Sequence, residues 1–143
     1  MSHGTDAWRP RQRFALVDVL LAGNLGGLCV GDPSDRVEAL LGPPQAPAGR
    51  LSKRSKLWSH GYGNVAVLTA ARRVASVEID FEGQRAAMVE AGALAGWSLD
   101  EWRAFAGPAG FVEEARGEIV VLRSASARVV LDAGGALHLA RLT

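Results

Sequence analysis

The segment Asp35-Arg36-Val37-Glu38-Ala39-Leu40-Leu41-Gly42-Pro43 recurs in kind 65 positions later as Asp100-Glu101-Trp102-Arg103-Ala104-Phe105-Ala106-Gly107-Pro108, with Asp, Ala, Gly and Pro in register. Each copy reads as a short apolar-striped helix that Gly-Pro stops, since proline cannot continue a helix and glycine tolerates its end. Each is followed by apolar β-type runs, so the chain has to accommodate the same local grammar twice. The likeness extends into those runs at a shifted offset of 63: Val67-Leu68 matches Val130-Leu131, Val74 matches Leu137 and Ile79 matches Leu142. The expectation is an α+β fold in which two helix-plus-antiparallel-strand repeats form one curved antiparallel sheet with helices on one face. Residues 1–13 form a flexible tail in this reading, 14–83 the first repeat and 84–143 the second, within one compact domain.

Local punctuation supports these bounds. Pro10 suits the first turn of a helix carrying Phe14, Leu16, Val17, Leu20 and Leu21, which Gly23, Gly26 and Gly27 end. Asp32 or Ser34 caps the next helix, and Ser98 with Glu101 forms a capping box on its counterpart. Ala86 to Ala95 is rich in helix formers. Strand signals run from Leu57 to Tyr62, through Val65 and Val67 with Gly61 and Gly63 as bulge positions, and from Val74 to Phe81. In the last, Val77, Ile79 and Phe81 alternate with Ser76, Glu78 and Asp80, as in a half-buried antiparallel strand. Glu118 to Arg123, Ala127 to Leu131 and Ala136 to Leu142 read as three more strands, with a hairpin turn at Asp132-Ala133-Gly134-Gly135.

Composition narrows the function. With 48% hydrophobic and 22% charged residues, 143 residues can bury one substantial core. Sixteen Lys and Arg against 15 Asp and Glu leave a formal charge of +1, which gives no bulk attraction to nucleic acid or to anionic lipid. Cys29, the single cysteine, sits in an apolar run that predicts a buried, inert thiol. No segment reads as a secretory signal or a bilayer span, so the expected location is cytoplasmic, with no membrane partner.

Catalytic chemistry finds little purchase. His60 and His138 lie on expected strands without a motif around either, and no Gly-x-Ser-x-Gly elbow occurs. One cysteine and three scattered histidines do not make a zinc site, so neither metal nor cofactor is expected. Glu113-Glu114 and Asp100-Glu101 read as solvated surface. The glycines at 23, 26 and 27 lack the Lys-Ser/Thr ending of a phosphate loop. Arg50, Lys53, Arg54 and Lys56 with Trp58 form the densest basic cluster, and a solvated loop accounts for it better than a nucleic-acid contact.

The run Gly31-Asp32-Pro33-Ser34-Asp35-Arg36-Val37-Glu38-Ala39-Leu40-Leu41-Gly42-Pro43-Pro44, with Trp58 and Tyr62-Gly63 after a loop, resembles the start of SmpA/OmlA-type modules. Tandem copies of such a module build the beta-lactamase inhibitor protein fold, and the chain also resembles uncharacterised bacterial immunity-like proteins. The resemblance implies a non-enzymatic protein with helices on one sheet face and an open face that grips a partner. That partner would be a toxin encoded nearby, which the protein neutralises by occlusion.

The residues expected at this interface are Trp58, His60, Tyr62, Ser76, Glu78, Asp80, Leu137, Leu139 and Arg141. Aromatic anchors amid charges are what protein interfaces use. Trp58 and Tyr62 have a second placement, beneath the helices. For Leu137 and Leu139, either the register slips by one, turning side chains over, or an apolar patch faces a partner. The alternative function is a small-molecule module with an apolar pocket lined by Trp58, Tyr62, Trp97 and Trp102.

Overall fold

The computed structural model describes residues 8–83 and 87–143. The chain enters on a short strand, β1 (Phe14–Ala15), and turns at once into helix α1 (Leu16–Ala22), which buries Leu16, Val19 and Leu20. Sequence places the start of this helix at Pro10. Instead Phe14 donates its N–H to Met88 O at 2.8 Å and pairs in parallel with Val89 of β6 (Val89–Glu90), which keeps its backbone extended. The expected flexible tail is also revised: residues 1–7 lie outside the described residues, but Trp8 packs edge-on against Tyr62 and Gln12 Nε2 donates to Leu40 O at 3.1 Å.

After α1, Leu25 and Leu28 exchange backbone hydrogen bonds of 3.0 and 2.9 Å and are fully buried. That turn leaves Cys29 exposed, correcting the buried thiol expected from its apolar neighbours. Helix α2 (Asp35–Leu41) follows, with Val37 and Leu41 inside. Ser34 makes no side-chain cap bond. Asp32 Oδ2 accepts instead from Cys29 N–H at 2.9 Å and lies 3.4 Å from Arg36 Nε, fixing the helix approach. Helix α3 (Leu99–Ala106) carries the expected capping box, with Glu101 N–H to Ser98 Oγ at 3.3 Å and Ser98 N–H to Glu101 Oε1 at 3.1 Å. The helix expected over 86–95 does not form among its described residues, which make β6 and a 3-10 turn (Gly92–Gly96). Asn64 Oδ1 accepts the N–H groups of Met88 and Val89, and Phe14 pairs with the same segment. Tertiary partners thus hold extended a stretch whose propensity is helical.

An eight-stranded, wholly antiparallel sheet organises the rest: β2 (Gly49–Arg50), β3 (Trp58–Tyr62), β4 (Val65–Ala70), β5 (Arg73–Asp80), β7 (Val112–Arg116), β8 (Ile119–Arg123), β9 (Ala127–Asp132) and β10 (Leu137–Leu142). The spatial order is β2-β3-β4-β5-β10-β9-β8-β7, so β5 and β10 meet at the centre. Strand β7 was not legible as a strand because Val112-Glu113-Glu114-Ala115-Arg116 lacks clean alternation; the tight turn to β8, with Gly117 at φ 64, imposes it. The bulges expected at Gly61 and Gly63 are absent: Tyr62 pairs with Val65 across a two-residue turn, with Gly63 at φ 63.

Register assigns each side chain to a face. Val67, Val77, Ile79, Leu142, Val129 and Leu122 line one face and join the buried residues of α1, α2 and α3 in a single cluster. Two bulges adjust the edges of that face. Ala75 is skipped between Ser76 and Val74, and His138 between Leu137 and Leu139, so Val74 and Leu137 turn inward. At the far end Trp102, fully buried, donates its indole N–H to Gly135 O at 3.1 Å, docking α3 on the β9–β10 turn.

Candidate functional site: the exposed face of the sheet

The face opposite the helices is ordered by cross-strand rows. Glu78 of β5 stands directly opposite Arg141 of β10, Arg141 opposite Arg128 of β9, and Arg128 opposite Arg123 of β8. The next row runs Asp80, Leu139, Val130, Val121 and Glu114, and a third joins Asp132, Ile119 and Arg116. Apolar and arginine rows thus lie side by side. Leu139, Ile119 and Val112 are 37%, 44% and 65% exposed.

Glu78, Asp80 and Glu82 border a depression of about 440 Å³ with Leu139 and Arg141. The arginines occupy β10 to β7, interleaved with Asp132 and Glu114. Arg141 lies 3.4 Å from Glu78, and Glu114 lies 3.2 Å from Arg116 and 3.7 Å from Arg123. The hydrogen bond from Arg116, and then its charge, hold the Glu114 carboxyl below the usual range. Arg128, in the middle of the row, has no carboxylate within ion-pair distance among the described residues. The Nε atoms of Arg128 and Arg141 are buried without a hydrogen-bond partner there.

The nine expected interface residues divide between the two faces. Glu78, Asp80, Leu139 and Arg141 lie on the exposed face. Ser76 shares that face but is only 4% exposed, shielded from contact. Leu137 turns inward at the bulge. Trp58, His60 and Tyr62 belong to the covered face, because they pair with Thr69, Val67 and Val65. Tyr62 is core: its hydroxyl donates to Gly42 O at 2.8 Å, and burial, reinforced by the charge of Glu38, pushes its pKa up to about 12. His60 Nε2 lies 3.1 Å from Thr69 Oγ1, and burial lowers its pKa against the opposing pull of Glu38. Trp58 is 44% exposed, with the Arg50 guanidinium 5.9 Å from its ring.

The pocket expected from four aromatics does not form. Trp97 and Trp102 pack on one another at 5.0 Å and on Phe105, while Tyr62 packs on Trp8 in the other half. Trp58 and His60 instead border a depression of about 400 Å³ beside the start of α2, with Thr69, Lys56 and Arg72.

Glu113 and Glu114 are not simply solvated. Arg103 of α3 grips Glu113 through two bonds of 2.8 and 2.9 Å, tying helix to β7. His138 Nδ1 is 2.6 Å from Glu82 Oε1, whereas His60 Nε2 meets Thr69 Oγ1. Among the described residues no three His, Cys, Asp or Glu gather where they could hold a metal, and no helix is long and apolar enough to cross a membrane. Arg116, Arg123 and Arg128 escaped sequence reading. The available signal was the Arg128, Val130, Asp132 alternation, which places them on one face but not beside Arg141. No protein-family model, curated protein or solved structure matches the chain.

Proposed function

We propose that the protein is a non-enzymatic binding module that engages another protein through the exposed face of its sheet, as an immunity protein that occludes a toxin in the bacterial cytoplasm. The observation that carries this reading is that face: eight strands wide, opposite the described helices, and holding exposed Leu139, Ile119 and Val112 among arginines. Apolar anchors ringed by charge suit a protein interface. A duplicated ancestry is part of the proposal. The β4 and β5 spans, moved by 63 positions, fall on β9 and β10, and the strand order of the first half is reversed in the second.

Affinity co-purification with the product of the adjacent gene tests the reading. The expected result is a stable complex in which that product loses its activity; a set of such neighbours, none retained and none inhibited, overturns it. A small-molecule reading draws on the Trp58–His60 depression, where His60 Nδ1 is buried without a partner among the described residues. A metabolite screen by thermal shift separates the two, since only a ligand that binds the native state raises its melting temperature.

A further inference from the structure

We infer that the row Arg123, Arg128 and Arg141 is a docking strip for an acidic segment of a partner protein, with Val130 and Leu139 of the parallel row taking that segment's apolar side chains. The inference rests on the proposed protein-binding role of this face and adds the chemistry of what binds there.

Strands in a sheet lie about 4.8 Å apart, and like charges directly opposite one another destabilise it. Three arginines in one row are therefore a cost to the free protein. The ends of the row are relieved within the chain, Arg141 by Glu78 and Arg123 by Glu114. The middle is relieved less: Arg128 interacts with the charge of Glu114 but has no carboxylate within ion-pair distance among the described residues, and its position and the buried Nε restrict the side chain. A guanidinium restrained in this way loses little freedom when it grips a carboxylate by two bonds.

The neighbouring row decides the class of ligand. Val121, Val130 and Leu139 run alongside the arginines, two residues away on each strand, about 7 Å, with Val121 itself buried and Val130 and Leu139 open to contact. A segment lying across the strands meets cations on one side and apolar surface on the other. A nucleic acid fits this poorly. The described residues on this face of β5 and β7–β10 include no Phe, Tyr or Trp on which a base could stack. Glu78 and Glu114 at the two ends would also repel phosphates.

Selection of random displayed peptides on the immobilised full-length protein tests the strip. The expected outcome is enrichment of peptides that combine clustered Asp or Glu with Leu, Ile, Phe or Trp. A synthetic peptide of the enriched sequence should bind about tenfold more weakly to Arg128→Glu and more weakly as salt rises. It should bind Arg54→Glu, a matched charge change on an exposed loop, as it binds the wild type. Arg128→Glu relieves the like-charge row and should fold; Arg128→Gln serves as the neutral counterpart and should also weaken binding.

No acidic enrichment, or equal binding to both Arg128 variants and wild type, overturns the proposal. So does retention of a single-stranded oligonucleotide in place of peptides, or a wild-type dimer that Arg128→Glu dissolves, which would give the face to a second copy. An acidic selection without any partner among neighbouring gene products sinks the toxin reading and leaves the strip. A recovered partner indifferent to Arg128→Glu does the reverse.

Discussion

Tyr62 is the chain's single tyrosine, fully buried, with its hydroxyl donating to Gly42 O at 2.8 Å and its pKa raised by burial to about 12. Because only one phenol is present, alkaline titration followed by phenolate absorbance reads it alone. The native midpoint should fall near 12 and return to about 10 in denaturant. The sign follows from linkage: a raised folded pKa means the unfolded chain gives up the proton first. The contribution to stability is present below pH 10 and is lost as the pH climbs toward 12. A native midpoint near 10 would place the hydroxyl in water and contradict the buried assignment. Trp58, His60 and Tyr62 share one strand parity, which sequence shows; that this parity faces the helices depends on pairing with Thr69, Val67 and Val65. No residue carries that information alone.

At the scale of elements, the β4–β5 hairpin turns on Ala71 at φ 51 and Arg72 at φ 63, left-handed positions that favour glycine and asparagine. Neighbours hold the strand ends in place: Ser34 N–H donates to Arg72 O, Gly31 N–H to Val74 O, and Val74 N–H to Asp32 O, each at 2.8 Å. Replacing Ala71-Arg72 by Asn-Gly should therefore raise unfolding free energy by about 1 kcal/mol, measured by urea titration. A loss of stability would show that the Arg72 side chain contributes more than its backbone costs. Helices α2 and α3 were legible because their signals are local: an apolar stripe and a Gly-Pro stop in both, and a capping box in α3. Strands β6 and β7 were not, since Asn64 captures one and the hairpin with β8 imposes the other.

For the whole molecule, β5 and β10 join the two halves of the sheet, and one cluster of buried side chains runs beneath both. The halves should therefore open together. Hydrogen exchange should give the slowest amides of β4 and of β9 the same opening free energy. Leu142→Ala empties a position that pairs with Val77 across the seam and should lower both by about 2–5 kcal/mol. Protection lost in β9 but kept in β4 would show two separately stable halves.

By itself the sequence determined what spacing within a few residues can specify: the α2 and α3 helices, the alternation of β5, the capping box at Ser98 and the turn before Leu137. Tertiary structure decided which face each alternation presents, because facing is a property of paired strands. Arg123, Arg128 and Arg141 are unremarkable along the chain and become one row only through the register of β8, β9 and β10. The bulges at Ala75 and His138 likewise leave no local mark. Each skips a single residue, and with a side-chain period of two that is enough to send Val74 into the core and turn Leu137 against it.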